Sequence, residues 1–187
     1  MSKTIGVASL LTGIVKQEVL KYWELVEREY HSVGVKSFDY PNLGFQGGDC
    51  EDVKSLEKEL QELILQVNSI EIQMHGFDYF TYPNNVIYLK VIPSPELQQF
   101  HKQIHNIIAK HCKTVFSYYI PETWVPHVSI AMGDLTPENL KKFQHNFSGY
   151  SPSFKQKLSN IALVEFQKSG KVELLKEWQY KENTLNL

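Results

Sequence analysis

Apolar residues fall at Val15, Val19, Tyr22, Trp23, Val26 and Tyr30. Those steps of three and four put one stripe on one face of a helix. The spacing returns at Val53, Leu56, Leu60, Leu63, Ile64 and Val67, predicting a second helix over 53–67. Around these stripes the chain reads as strand. Residues 5–11 form a short apolar run, and 69–74 and 86–92 give two more, with Tyr82-Pro83-Asn84-Asn85 as the turn between them. Residues 34–46 read as extended, with Pro41 pushing Tyr40 into β or polyproline space and Gly47-Gly48-Asp49 ending the segment. Ser94-Pro95-Glu96 combines an N-cap, a first-turn proline and an early acid, and predicts a helix running to about His111. Residues 125–131 predict a strand. Thr136-Pro137-Glu138 repeats the helix start for 140–147, and 158–167 with 171–178 predict a closing hairpin around Ser169-Gly170. The order predicts an α+β fold of two pseudo-symmetric lobes within one domain, 1–187, with antiparallel sheets lining a central cleft and helices outside.

Composition narrows the function classes. With 42% hydrophobic and 21% charged residues the chain suits one packed core. A net charge of −2 gives no bulk attraction to nucleic acid or anionic membrane. No apolar run approaches the roughly 20 residues that span a bilayer, and no signal peptide is evident. Cys50 and Cys112 lack metal spacing and suggest no disulfide framework, so a reducing, cytoplasmic location is expected.

The feature that frames function is an internal repeat. Pro41-Asn42-Leu43-Gly44-Phe45-Gln46-Gly47-Gly48-Asp49 aligns with Pro126-His127-Val128-Ser129-Ile130-Ala131-Met132-Gly133-Asp134 at a constant offset of 85 positions. On a strand, alternate side chains share a face. His127, Ser129 and Ala131 then point one way, and Asn42, Gly44 and Gln46 are their counterparts. Related by a pseudo-twofold, the two strands lie side by side and face one cleft. One copy carries a histidine and a hydroxyl; the other carries neither.

These residues resemble the two-histidine phosphoesterase superfamily, which includes bacterial 2'-5' RNA ligases and cyclic phosphodiesterases. Its signature is a pair of His-x-Thr/Ser motifs, one per lobe. Val125-Pro126-His127-Val128-Ser129-Ile130-Ala131 looks like the second motif. The Tyr118–Trp124 run, the Val86–Val91 run and Ser94-Pro95-Glu96-Leu97 resemble one branch of the family. The first motif departs from the pattern: Pro41-Asn42-Leu43-Gly44 stands where Pro-His-x-Thr is expected, and neither His31 nor His75 fits in its place.

The resemblance implies a metal-independent reaction on a 2',3'-cyclic phosphate, with no cofactor. One histidine takes a proton from water, the other gives one to the leaving ribose oxygen, and two hydroxyls hold the phosphoryl oxygens. His127 and Ser129 are the catalytic candidates. Asn42, Gly44 and Gln46, through side chain or backbone amide, with Tyr119 and Trp124, are the substrate-binding candidates. The expected partner is a nucleotide or RNA end bearing a phosphodiester or cyclic phosphate, the expected state a monomer. Asn42 cannot exchange a proton near neutral pH. Weak hydrolysis and a non-catalytic nucleotide- or RNA-end-binding module are therefore both open.

Bland roles compete at several positions. His127 alone reads as a hydrogen-bonded strand histidine, Asn42 as a turn residue, and Tyr88, Tyr118, Tyr119 and Trp124 as core packing as readily as base-stacking surfaces. His101 and His105 sit four apart on a helix, a possible metal pair without a third ligand; a half-exposed helix face is expected there. Lys36 and Lys90 read as solvated rather than as phosphate contacts.

Overall fold

In the computed structural model, which describes residues 2–180, the chain forms two antiparallel sheets. The elements run β1 (Lys3–Leu10), α1 (Gly13–Tyr30), β2 (Asn42–Cys50), α2 (Val53–Ile64), β3 (Ile70–Phe80), β4 (Val86–Ile92), α3 (Pro95–His111), β5 (Cys112–Val115), β6 (His127–Met132), α4 (Pro137–Asn146), β7 (Ser153–Leu158), β8 (Asn160–Phe166) and β9 (Val172–Gln179). One sheet has the order β5-β2-β1-β8-β9, the other β6-β4-β3-β7. The α+β class, the paired lobes and the antiparallel sheets are as the sequence predicts. The helix starts are too: Ser94 Oγ accepts from Leu97 N, and Thr136 Oγ1 accepts from Asn139 N.

The helices cross between lobes. α1 follows β1 in the five-stranded sheet but packs on β6 and β7 of the other. α3 follows β4 of the four-stranded sheet but packs on β2 and β5. Their apolar stripes are buried in one core together with Leu43 and Phe45 of β2 and Val128 and Ile130 of β6. Burying both stripes thus ties each lobe to the other. β2 and β6 run beside each other at the junction.

The repeat extends into the strand register. On β2, Gly44 opposes Ala8 and Gln46 opposes Val7, leaving Phe45 as an unopposed bulge. On β6, Ser129 opposes Tyr88 and Ala131 opposes Ile87, leaving Ile130 unopposed. Phe45 and Ile130 are themselves 85 positions apart. Both lobes bend the strand that carries the repeat at the same place, which re-aims the residues that follow.

Several boundaries differ from expectation. Residues Gly34–Ser37 form a 3-10 turn rather than extended chain. Asp134 holds that turn, accepting from Ser32 Oγ, Val33 N and Gly34 N. Gly47-Gly48-Asp49 does not end a strand: β2 continues to Cys50. The glycines there serve close approach rather than a turn, because a Cβ at Gly48 would overlap the Thr114 carbonyl oxygen of β5. We expect Gly48→Ala to destabilise by about 1–3 kcal/mol as the β2–β5 pair is forced apart. Gly149→Ala, whose Cβ meets nothing within 4 Å, serves as control, and equal urea midpoints for the two variants would refute the close-approach account. β5 and β7 lack a pattern strong enough to announce them, being short or half-exposed. The two cysteines also differ from expectation. Cys50 and Cys112 face each other across β2 and β5 and are joined as a disulfide, so cysteine usage no longer argues for a reducing compartment. Among the described residues no helix is long and apolar enough to cross a membrane.

Candidate functional site

The cleft opens where β2 and β6 meet. A cavity of about 270 Å³ is lined by Asn42, Gly44, Phe45 and Gln46 of β2, His127, Ser129 and Met132 of β6, Tyr119, and an apolar wall including Trp23, Phe38, Phe116 and Phe166. An adjoining cavity of about 330 Å³ shares Tyr119, His127, Ser129 and Met132 and adds Phe80, Tyr82 and Tyr118. Among the described residues, none that line either cavity is Lys, Arg, Asp or Glu.

His127 lines both cavities. Its Nδ1 lies 2.7 Å from the Val125 carbonyl oxygen and donates to it, which leaves Nε2 as the acceptor in the neutral ring. Phe80 meets the imidazole edge-on at 5.2 Å between centroids, and Tyr88 flanks it at 5.1 Å. Burial in this aromatic surround lowers the His127 pKa, against the opposing effect of the Val125 hydrogen bond. The ring is therefore neutral at physiological pH. Two residues on, the Ser129 carbonyl is fixed by Trp23 Nε1 at 3.0 Å, and the Ser129 hydroxyl has no protein partner among the described residues.

On the β2 side Asn42 lies at the start of the strand. It lines the cleft, and its Nδ2 donates to the Tyr40 carbonyl at 2.9 Å in a local turn. Gly44 leaves backbone only. Gln46 is buried, and its amide is spent on the protein: Nε2 reaches His105 Nδ1 at 3.0 Å and the Tyr119 carbonyl at 2.8 Å, while Oε1 accepts from Gly47 N. The bulge at Phe45 breaks the simple alternation that placed Gln46 with Asn42 and Gly44.

Trp124 corrects the expectation of a cleft-mouth aromatic. It lies behind β2, where its Nε1 donates to the Gly44 carbonyl at 3.1 Å and its indole stacks on His101 at 3.9 Å. His101 corrects the exposed-face expectation. It is 1% exposed, and its Nε2 lies 3.0 Å from the carbonyls of both Phe45 and Tyr119. The pair clamps β2 and the 3-10 turn Ser117–Tyr119 to α3. The helical spacing of His101 and His105 could not reveal this, because it depends on which sheet α3 crosses to. Phe80 was equally invisible: only the β3–β4 pairing brings it to His127.

Burial pulls the His101 pKa down to about 4, despite its two carbonyl partners. The unfolded ring, near 6.5, then binds more protons than the folded one between about pH 4 and 6.5. Stability must rise with pH across that window. We expect about 2–3 kcal/mol of stability to be lost between pH 7 and 4.5 through this ring, and less in His101→Phe, which keeps a stacking surface without the charge. Identical pH slopes of the unfolding free energy in the two proteins would exclude it.

Comparisons with known proteins agree with this architecture. The family model of the 2'-5' RNA ligase superfamily matches residues 40–170, well over half of the chain and both repeat copies. A Geobacillus sp. (strain WCH70) protein bearing a provisional phosphoesterase name is 32% identical over 83 residues, and one from Geobacillus kaustophilus (strain HTA426) is 34% identical over 83. Each alignment spans 44% of this chain and 43% of the relative, so the chain matches under half the length of these curated relatives. Among solved structures, TT0787 of Thermus thermophilus superimposes with a TM-score of 0.64 at 13% identity, covering 98% of this chain and 100% of that one. E. coli LigT complexed with 3'-AMP gives 0.59 at 14% identity, covering 97% and 99%. The two-sheet fold is thus shared with proteins of distant sequence, and the chain belongs to the 2'-5' RNA ligase superfamily, the two-histidine phosphoesterase group its second motif resembles.

Proposed function

We propose that the cleft binds a nucleotide or RNA end through a singly charged phosphodiester, a 2',3'-cyclic phosphate foremost, and hydrolyses it slowly with His127 as its only acid–base histidine. The observation that carries this reading is a neutral imidazole and a free hydroxyl on β6, in a cleft whose described lining carries no fixed charge. A phosphomonoester bears close to two charges near neutral pH, and among the described residues the lining offers no cation to offset them. A diester bears one, which neutral donors in a water-poor cleft can hold. The aromatic and apolar wall offers a face for a nucleobase. E. coli LigT, similar in fold, has been seen with 3'-AMP, which supports a nucleotide-sized ligand here.

The chemistry follows from the groups present. His127 Nε2 accepts the proton of an attacking water, the water oxygen bonds phosphorus, and the bond from phosphorus to one ribose oxygen breaks. With Asn42 in place of a second histidine, the leaving oxygen draws its proton from solvent. Ser129 Oγ donates to a phosphoryl oxygen as charge grows on it. The test is hydrolysis by the full chain of a panel of 2',3'-cyclic nucleotides, cyclic-phosphate-ended RNA and the matching 3'-monophosphates, with binding measured by calorimetry on the same samples. Turnover and a preference for the diesters are expected. Binding without turnover would select a non-catalytic end-binding module, and absence of both would overturn the reading.

A further inference from the structure

Gly44 and Ser129 are equivalent three times over: by the sequence offset, by strand register and by the bulge that follows each. Ser129 brings a hydroxyl to the cleft and Gly44 brings nothing. Yet the space above Gly44 is filled. An ideal Cβ there would lie 3.3 Å from Tyr119 Cε1, 3.9 Å from Cζ and 3.7 Å from the phenol oxygen. The edge of the tyrosine ring, with its oxygen, occupies the slot that a residue-44 side chain would enter.

We propose that Tyr119 supplies from the first lobe the hydroxyl that β2 lacks, so that its phenol and Ser129 hold the phosphoryl oxygens of a bound phosphodiester from opposite sides.

This rests on the proposed phosphodiester site and assigns one more ligand contact within it. Three further observations support it. Tyr119 lines both cavities along with His127 and Ser129, and its ring centre is 6.3 Å from that of His127. Its backbone is fixed, because the Tyr119 carbonyl accepts from both Gln46 Nε2 and His101 Nε2; a donor held before the ligand arrives loses little freedom on binding. Its hydroxyl has no partner among the described residues, and burial raises the phenol pKa, keeping a proton available to donate. The small residue opposite Gly44, Ala8, where β4 carries Tyr88 opposite Ser129, is consistent with a phenol entering from elsewhere in the chain.

The test compares binding of 2',3'-cyclic AMP and of adenosine to the wild type, Tyr119→Phe, Tyr119→Ala, and Tyr119→Ala combined with Gly44→Thr. Because the hydroxyl has no partner among the described residues, Tyr119→Phe should melt where the wild type melts. We expect it to bind the cyclic phosphate about 10-fold more weakly or worse, as for loss of a hydrogen bond to a charged group, with adenosine affinity unchanged. Returning a hydroxyl to β2 in the emptied slot should recover part of the phosphate-dependent binding that Tyr119→Ala loses. Wild-type affinity for the cyclic phosphate in Tyr119→Phe overturns the inference and leaves the site intact. An equal loss for adenosine and the cyclic phosphate would assign the tyrosine to base packing and also overturn it. Absence of cyclic-phosphate binding in the wild type overturns the site reading, and this inference with it.

Discussion

Replacing His127 with asparagine, so that β6 carries what β2 carries at Asn42, should lower turnover of a 2',3'-cyclic nucleotide by about 10² to 10⁴-fold. Asparagine keeps a donor within reach of the Val125 carbonyl and removes the only imidazole among the described residues that line the cleft. The loss should appear in kcat, with KM changed little, because in the proposed mechanism the imidazole acts on the water and not on the bound ground state. The pH profile carries the same assignment. Burial lowers the His127 pKa below its ordinary value, and the base must be neutral to act. The wild-type kcat/KM should therefore be flat from about pH 7 upward and fall only below about 6.5, as the ring takes a proton. A His127→Asn protein that turns over substrate at the wild-type rate would remove His127 from the mechanism. So would a wild-type rate that declines through neutral pH on the alkaline side.

Truncating Phe45 to alanine should cost about 3–5 kcal/mol of stability. Its side chain is fully buried. It meets Phe100 of α3 edge-on at 5.3 Å and approaches the Trp124 indole at 6.0 Å. It is also the bulged residue between Gly44 and Gln46, and its carbonyl is one of the two anchors of His101. The cavity left behind would lie directly beneath the strand that forms one wall of the cleft. Urea unfolding monitored by tryptophan fluorescence reads the effect, and a loss under about 1 kcal/mol would show that the core there collapses freely. The variant's ligand affinity should fall as well, since β2 loses the packing that fixes its bend. Leu63→Ala, on the half-buried part of the α2 stripe, provides a comparison far from the cleft.

The internal repeat was legible because both copies keep Pro, Gly and Asp at matching places and apolar residues between them. The structure gives those matches separate reasons. Asp134 fastens the 3-10 turn after α1, while Asp49 accepts from the hydroxyls of Thr4 and Thr114. Gly48 admits the β5 backbone, whereas Gly133 adopts a positive φ of 86° at the end of β6. Identical letters at one offset thus met different local needs, which is why Gly47-Gly48-Asp49 read as a strand end.

Local periodicity and capping were enough to settle the helices and most strands, because those depend on neighbours within a few residues, and the 85-position repeat added the two lobes. They also placed His127 and Ser129 on one strand beside a counterpart that lacks both. Which aromatic residues would surround that histidine was decided elsewhere. Phe80 arrives through the β3–β4 register, and Tyr119 arrives because His101 and Gln46 hold its carbonyl. Trp124 was drawn behind β2 by the same clamp. Such contacts join residues tens of positions apart and exist only once α3 has crossed to the other lobe's sheet. The sequence alone determined the His127–Ser129 segment and its counterpart at Asn42 and Gly44; the tertiary packing decided that a tyrosine ring, and not empty space, lies over Gly44.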